Sequence, residues 1–144
     1  MKKILALALA LVMVLSLAAC GGSTSEGGAK VSVFWYDEAD VYLSTVRSAL
    51  NEELDALGVE YDNQYAANDQ AKQLDQVKTA IAGGSTILVV NLVTSGSSDA
   101  AEEILAAAGD IPVIFFNRPI GIDGSEVTVL ENHANACFIG TDAP

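Results

Sequence analysis

The amino-acid sequence predicts an α/β fold, a doubly wound parallel sheet with strand order 2-1-3-4-5. Three observations carry this. From Lys30 onward, short apolar runs alternate with longer amphipathic stretches. The run at 86–91, from Ile87 to Val90, and the run at 113–116 are apolar at consecutive positions instead of at every second one, as strands covered on both faces are. A single helical stretch separates most runs from the next, and right-handed crossovers wind such units onto one sheet.

The elements follow in order. Residues 31–36 read as the first strand. Leu43, Val46, Leu50, Leu54 and Leu57 recur at intervals of three and four, a helical stripe, and Gly58 ends that helix. Residues 59–65 read as the second strand. Asn68 is expected to cap a second helix, with Leu74, Val77 and Ile81 on its apolar face and Gly83-Gly84 closing it. Residues 86–91 form the third strand. A third helix begins within 95–99, carries Ile104 and Leu105 inward, and stops at Gly109. Residues 113–116 are the fourth strand. A long Gly-containing connection follows, with a short strand expected at 127–130. Residues 136–139 are the last strand, and Cys137 within it reads as a buried small hydrophobe.

Residues 1–19 have the layout of an export leader. Lys2 and Lys3 precede an apolar run from Ile4 to Leu15, and small residues lead up to Cys20. The run is too short for a membrane-spanning helix of about 20 residues. Leu17-Ala18-Ala19-Cys20 resembles a lipobox, which implies lipidation of Cys20 and an extracytoplasmic, membrane-anchored protein. More than one acyl chain gives stable anchoring where a single chain is marginal. Residues 20–30 are a Gly/Ser-rich tether by composition, and 31–144 form one domain. The chain carries 19 acidic and 7 basic residues, a net charge of −12. Two of the seven basic residues leave with the leader. Such a surface repels phosphate backbones and argues against nucleic-acid binding. With Cys20 lipidated, Cys137 has no disulfide partner. A single histidine, His133, in a polar loop gives no metal-site pattern, and no metal ligand set is expected.

In open parallel sheets the ligand crevice lies beyond the carboxyl ends of the strands, where strand order reverses. Here that brings together Asp37, Glu38, Asp40 and Tyr42 after the first strand, Asn91 after the third, and Asn117 and Arg118 after the fourth. Carboxylate, amide and guanidinium groups match hydroxyls that donate and accept at once, and Tyr42 offers a ring for the C–H face of a sugar. Each has a plainer role as well. Asp40 fits the N-cap of the first helix, Asn91 a strand-closing turn, Tyr42 and Arg118 the domain surface. An acidic cluster after the first strand also suits phosphoryl transfer in receiver domains. That chemistry needs an Asp where Asn91 stands, and an amide cannot be phosphorylated. No Ser-His-Asp set, P-loop or dinucleotide turn is present, so no enzyme is expected.

At these residues the chain resembles the type I periplasmic sugar-binding proteins. Tyr36 with Asp40 and Tyr42, Asn68-Asp69-Gln70 with Lys72-Gln73 and Asp75-Gln76, the run from Val90 to Val93, Pro112 to Asn117, and Gly140-Thr141-Asp142 carry the resemblance. It is nearest to the galactose/glucose (methyl-galactoside) binding lipoproteins of bacterial ABC importers. The resemblance implies a two-lobed receptor that closes on one monosaccharide and presents it to an importer permease. Asp40 and Asn91 match positions that bond sugar hydroxyls. Tyr42 matches an aromatic stacking position where that family carries Phe, and Asn117 with Arg118 matches a contact of the ribose binders. In that family a second lobe follows Gly-Thr-Asp, bringing further sugar ligands and a bound calcium ion. The chain is therefore expected to be the amino-terminal lobe of a truncated receptor that needs no cofactor of its own. Ribose, another sugar or a quorum signal is an alternative ligand. A sensor feeding a chemoreceptor or a histidine kinase is an alternative role.

Overall fold

The structure, a computed structural model, describes residues 28–140. The expected leader and the lipid-bearing Cys20 lie outside these residues, as do Thr141 and Asp142 of the resemblance. Five strands, β1 (Lys30–Trp35), β2 (Glu60–Tyr65), β3 (Ile87–Val90), β4 (Val113–Phe116) and β5 (Ala136–Ile139), form one sheet. Its order is β2-β1-β3-β4-β5 and every pairing is parallel, as the sequence predicts. The crossovers are α1 (Val41–Ala56), α2 (Gln70–Ala82), α3 (Ser98–Ala108) and α4 (Ser125–Asn132). Among the described residues, no helix is long and apolar enough to cross a membrane.

Strand alternation divides the core in two. Phe34, Leu88, Val90, Val113 and Phe115 point to the side where Val77 of α2, Ile104 and Leu105 of α3, and Val129 of α4 pack. Val31, Val33 and Trp35 point to the other side, where Leu43 and Leu54 of α1 cover them. Full burial of one large apolar side chain contributes about 1.5–3 kcal/mol, so these two layers dominate the stability of the domain. Topology explains the one-against-three division. The step from β1 to β2 runs in one direction along the sheet, and all later steps run in the other. Right-handed crossovers then place α1 alone on its face.

Four expectations need correction. Residues 127–130 form no strand; they belong to α4. Parallel β4 and β5 are neighbours and require a crossover, and in a helix Val129 is buried while Val127 stays exposed. The cap of α2 is Asp69, whose side chain accepts from the Lys72 N–H at 3.0 Å. Asn68 cannot serve, because it sits at φ 61° and an N-cap needs extended backbone. Cys137 is exposed. Ala136 and Phe138 take the face packed by the three helices, and Cys137 turns to the face where α1 does not reach. His133 keeps its predicted place outside helix and strand, half-buried just past α4, with Nε2 2.7 Å from Glu102 Oε2 of α3. The apolar stripe of α1 also ends earlier than expected: Leu57 is exposed, and the chain turns away at Gly58 with φ 64°.

Candidate functional site

The carboxyl ends of β1, β3, β4 and β5 meet along one edge of the sheet, beside the first turn of α1. Asp40 stands at the N-cap of α1 in extended backbone, and its Oδ1 accepts from the Leu43 N–H at 2.9 Å. Its Oδ2 accepts from the Tyr36 hydroxyl at 2.6 Å. The Tyr36 hydroxyl, followed by the Leu43 N–H, holds the Asp40 carboxyl below the usual carboxylate range, and partial desolvation opposes them. The same bond and the adjacent negative charge push the Tyr36 phenol upward, while Arg118 opposes them. Arg118 reaches this group from the end of β4. Its guanidinium carbon lies 4.2 Å from the Tyr36 ring centroid, a cation–π distance, and its Nη1 is buried without a hydrogen-bond partner.

A cavity of about 180 Å³ lies next to this cluster, between α1 and the ends of β4 and β5. Tyr42 and Val46 line one wall; Phe116, Asn117, Ile139 and Gly140 line the other. The Tyr42 side chain is exposed, as a stacking surface for a ligand must be. Asn117 has φ 64°. Asn tolerates this left-handed backbone better than most residues, and its N–H is fixed by the Ile139 carbonyl at 2.9 Å. The cavity falls below the ~300–1,000 Å³ of typical enclosed small-molecule sites.

Asn91 behaves differently from the other three candidates. It is fully buried, its Nδ2 donates to the Phe116 carbonyl at 3.0 Å, and its Oδ1 has no hydrogen-bond partner. In this conformation it ties the end of β3 to the end of β4 and stands behind the cavity wall. Asp37 and Glu38 stay in the β1–α1 loop. Asp37 Oδ2 accepts from Asn68 Nδ2, and Asp37 Oδ1 accepts from the Ala39 N–H at 2.7 Å. Two wider surface grooves, about 400 and 500 Å³, flank Lys72 and take no lining residue from β4 or β5.

Sequence reasoning named Gln73 only as part of the resemblance and gave its side chain no role. Its side chain is completely buried. Nε2 donates to the Asn91 carbonyl at 2.9 Å, and Oε1 accepts from the Val93 N–H at 3.1 Å. Gln70 assists by accepting from the Thr94 N–H at 2.9 Å. Two glutamines of α2 thus hold the loop after β3 in place. The signal was present: Gln73 lies four residues before Val77, on the buried face of the helix. Among the described residues, no group of three His, Cys, Asp or Glu side chains is placed to hold a metal ion.

Comparison with known proteins agrees with this architecture. A protein of Rhizobium meliloti named for rhizopine binding is 32% identical over 98 residues, covering 67% of this chain and 30% of its own length. The myo-inositol binding protein of Caulobacter superposes with a TM-score of 0.57 at 24% identity, over 69% of this chain and 34% of that one. An ABC transporter periplasmic solute binding protein of Actinobacillus succinogenes, solved with bound D-allose, gives a TM-score of 0.63 at 16% identity. It covers 79% of this chain and 39% of that one. The chain therefore spans about a third of the length of these relatives. At such identities the solved structures establish the fold. Residues 31–144 match the periplasmic binding protein domain along almost the whole folded region, and the chain belongs to that family.

Proposed function

We propose that this domain is one lobe of an extracytoplasmic receptor for a monosaccharide or a similar small polyol. The observation that carries the reading is the strand-end cluster. A carboxylate held by two protein donors stands beside a shallow cavity whose walls carry an exposed aromatic ring and an amide on left-handed backbone, at the edge where doubly wound sheets bind ligands. Asp40 accepts from ligand hydroxyls, Tyr42 stacks on a C–H face, and Asn117 supplies an amide from the opposite wall. Asn91 supports that wall from behind; its free Oδ1 reaches a ligand only if the side chain turns.

Within this reading, D-galactose or D-glucose is the ligand that the sequence resemblance favours. The name of the Rhizobium relative supports a broader class of small ligands on the same scaffold. The parent receptor closes a second lobe over the sugar and delivers it to an ABC importer. Its lipid at Cys20 keeps it at the membrane, and it catalyses no reaction. A calcium ion belongs to the second lobe in this scheme.

The test is a ¹H–¹⁵N NMR titration of residues 21–144 with D-galactose, D-glucose, D-ribose and myo-inositol at tens of millimolar, since half a site gives weak binding. Saturable shifts confined to Asp40, Tyr42, Asn117 and their neighbours are expected for at least one hexose. Shifts elsewhere, or none with any of the four, would sink the reading. Anchoring is tested separately: Cys20→Ala is expected to move the expressed protein from the membrane to the soluble fraction.

A further inference from the structure

We propose that Tyr36 and Arg118 are positioning residues that present the Asp40 carboxylate, in one fixed orientation, to two adjacent hydroxyls of the ligand. The proposal rests on the sugar-lobe reading above and assigns a mechanism to its central acceptor.

Asp40 is surface-accessible, and a surface carboxylate ordinarily rotates. As an N-cap alone it would be held through one oxygen, with the second free to exchange place with it. Here each oxygen has its own protein donor, the Leu43 N–H on Oδ1 and the Tyr36 hydroxyl on Oδ2. The two bonds select one rotamer and distinguish the two oxygens. A carboxylate oxygen offers two lone pairs, so one acceptor position remains on each. Two parallel acceptor positions on one rigid group match a vicinal diol, the repeating unit of sugars and cyclic polyols. A ligand that meets a preset acceptor avoids the entropy loss of ordering it on binding.

The phenol needs positioning in turn. Tyr36 follows the last residue of β1 and is half-buried, and among the described residues its hydroxyl has one hydrogen-bond partner, Asp40. The stacked guanidinium of Arg118, 4.2 Å from the centroid, supplies that orientation from the end of β4. Phe at position 36 would keep the stack and lose only the hydroxyl, and the hydroxyl serves Asp40. The strand-end cluster is thus a chain of three groups, Arg118 on Tyr36 and Tyr36 on Asp40, that links two strands flanking β3. The downward displacement of the Asp40 titration, for which the Tyr36 hydroxyl is the largest cause, agrees with this geometry.

The experiment uses residues 21–144 carrying Tyr36→Phe, with Arg118→Met as a second variant. Asp40 is followed by ¹³C NMR of its carboxyl carbon against pH, and D-galactose, D-glucose and myo-inositol are titrated as in the preceding test. In Tyr36→Phe the Asp40 titration is expected to move upward. The helix content and melting temperature should stay put, because the Leu43 cap remains. Sugar affinity should fall about ten-fold, the scale of one side chain ordered only on binding. Arg118→Met should move both readouts in the same direction by less. An unchanged Asp40 titration in Tyr36→Phe would refute the contact. A displaced titration with sugar affinity equal to that of the unsubstituted chain would refute the positioning role while leaving the site intact. If the unsubstituted chain shows no sugar-dependent shift, the functional reading falls and this proposal with it. The carboxyl titration, which needs no ligand, separates that failure from the other two.

Discussion

Replacing Gln73 tests how the loop after β3 is held. Gln73→Leu keeps the volume roughly constant but leaves the buried Asn91 carbonyl and the part-buried Val93 N–H without their side-chain partners. A buried polar group left unpaired costs about 1–3 kcal/mol. One such group and a second that is part-buried, partly offset by the more favourable burial of Leu, give a net loss of about 2–3 kcal/mol. For a domain of this size each kcal/mol lowers the melting temperature by roughly 4 °C, so a drop near 10 °C is expected. Gln73→Glu adds a sign. A neutral carboxylic acid can donate to the Asn91 carbonyl and accept from the Val93 N–H, as the amide does. The ionised form can only accept, and it is buried, so the folded state holds the proton more tightly than the unfolded chain. The folded pKa is raised above the unfolded value of about 4.3. Between the two values the native state binds more protons, and stability falls as pH rises, by at most about 1.4 kcal/mol per unit. The variant should therefore melt close to the unsubstituted domain at pH 4 and progressively below it toward pH 7. Thermal melts by circular dichroism over that range decide the matter. A Gln73→Leu melt within a degree of the unsubstituted domain, or a Gln73→Glu deficit that does not change with pH, would refute the account of the loop.

Other perturbations follow from the same geometry. A Cβ at Gly121 would lie 2.4 Å from the Glu126 backbone nitrogen and 2.5 Å from Ser125 Oγ, so Gly121→Ala should cost about 1–3 kcal/mol by overpacking, seen as a lower melting temperature. Ser97 caps α3 by accepting from the Ala100 N–H at 3.2 Å. Ser97→Ala should lose about 1 kcal/mol in urea denaturation, and Ser97→Gly only a few tenths. Cys137 is exposed in the folded domain, and a thiol reagent should modify it in buffer at a rate close to that in urea. A native rate lower by orders of magnitude would contradict the placement of its strand face.

The elements that the sequence predicts correctly are those in which the local pattern and the tertiary demand coincide. β3 and β4 are continuous apolar runs because both faces of a parallel sheet are covered, and the stripe of α1 is visible because one face is buried. α4 fails that test. Val127, Thr128 and Val129 are β-branched, which favours strands locally, yet the parallel β4–β5 pairing leaves the connection no other form than a crossover. Asn68 and Asp69 are adjacent and both suited to capping; only the backbone, left-handed at Asn68 and extended at Asp69, chooses between them. At the candidate site, Asp40, Tyr42 and Asn117 follow directly from the rule that ligands bind at strand ends. The Asp40–Tyr36 bond was less visible, although residues four apart across a strand end and a helix cap are natural partners. The sequence shows Asn91 in the right loop but not that its side chain turns inward, since that depends on Phe116, 25 residues away.

The position of the cavity has the same topological origin as the division of the core. Because α1 is alone on its face, it covers β1 and its immediate neighbours, with Val31, Val33 and Trp35 sealed beneath Leu43 and Leu54. The reach of one helix ends there. The side chains that β4 and β5 turn toward the same face, Phe116 and Ile139, lie half-buried and exposed respectively. They form the far wall of the cavity whose near wall is Tyr42 and Val46 of α1. On the opposite face the helices α2, α3 and α4 pack against the side chains of β3, β4 and β5. The reversal of strand order thus does two things at once. It brings the loops after β1 and β4 to a common edge, and it leaves the α1 face of β4 and β5 open. A polar cluster and an apolar wall arise side by side from one feature of the winding, and the proposed ligand, a sugar with hydroxyls at its rim and C–H groups on its faces, would present the complementary surface.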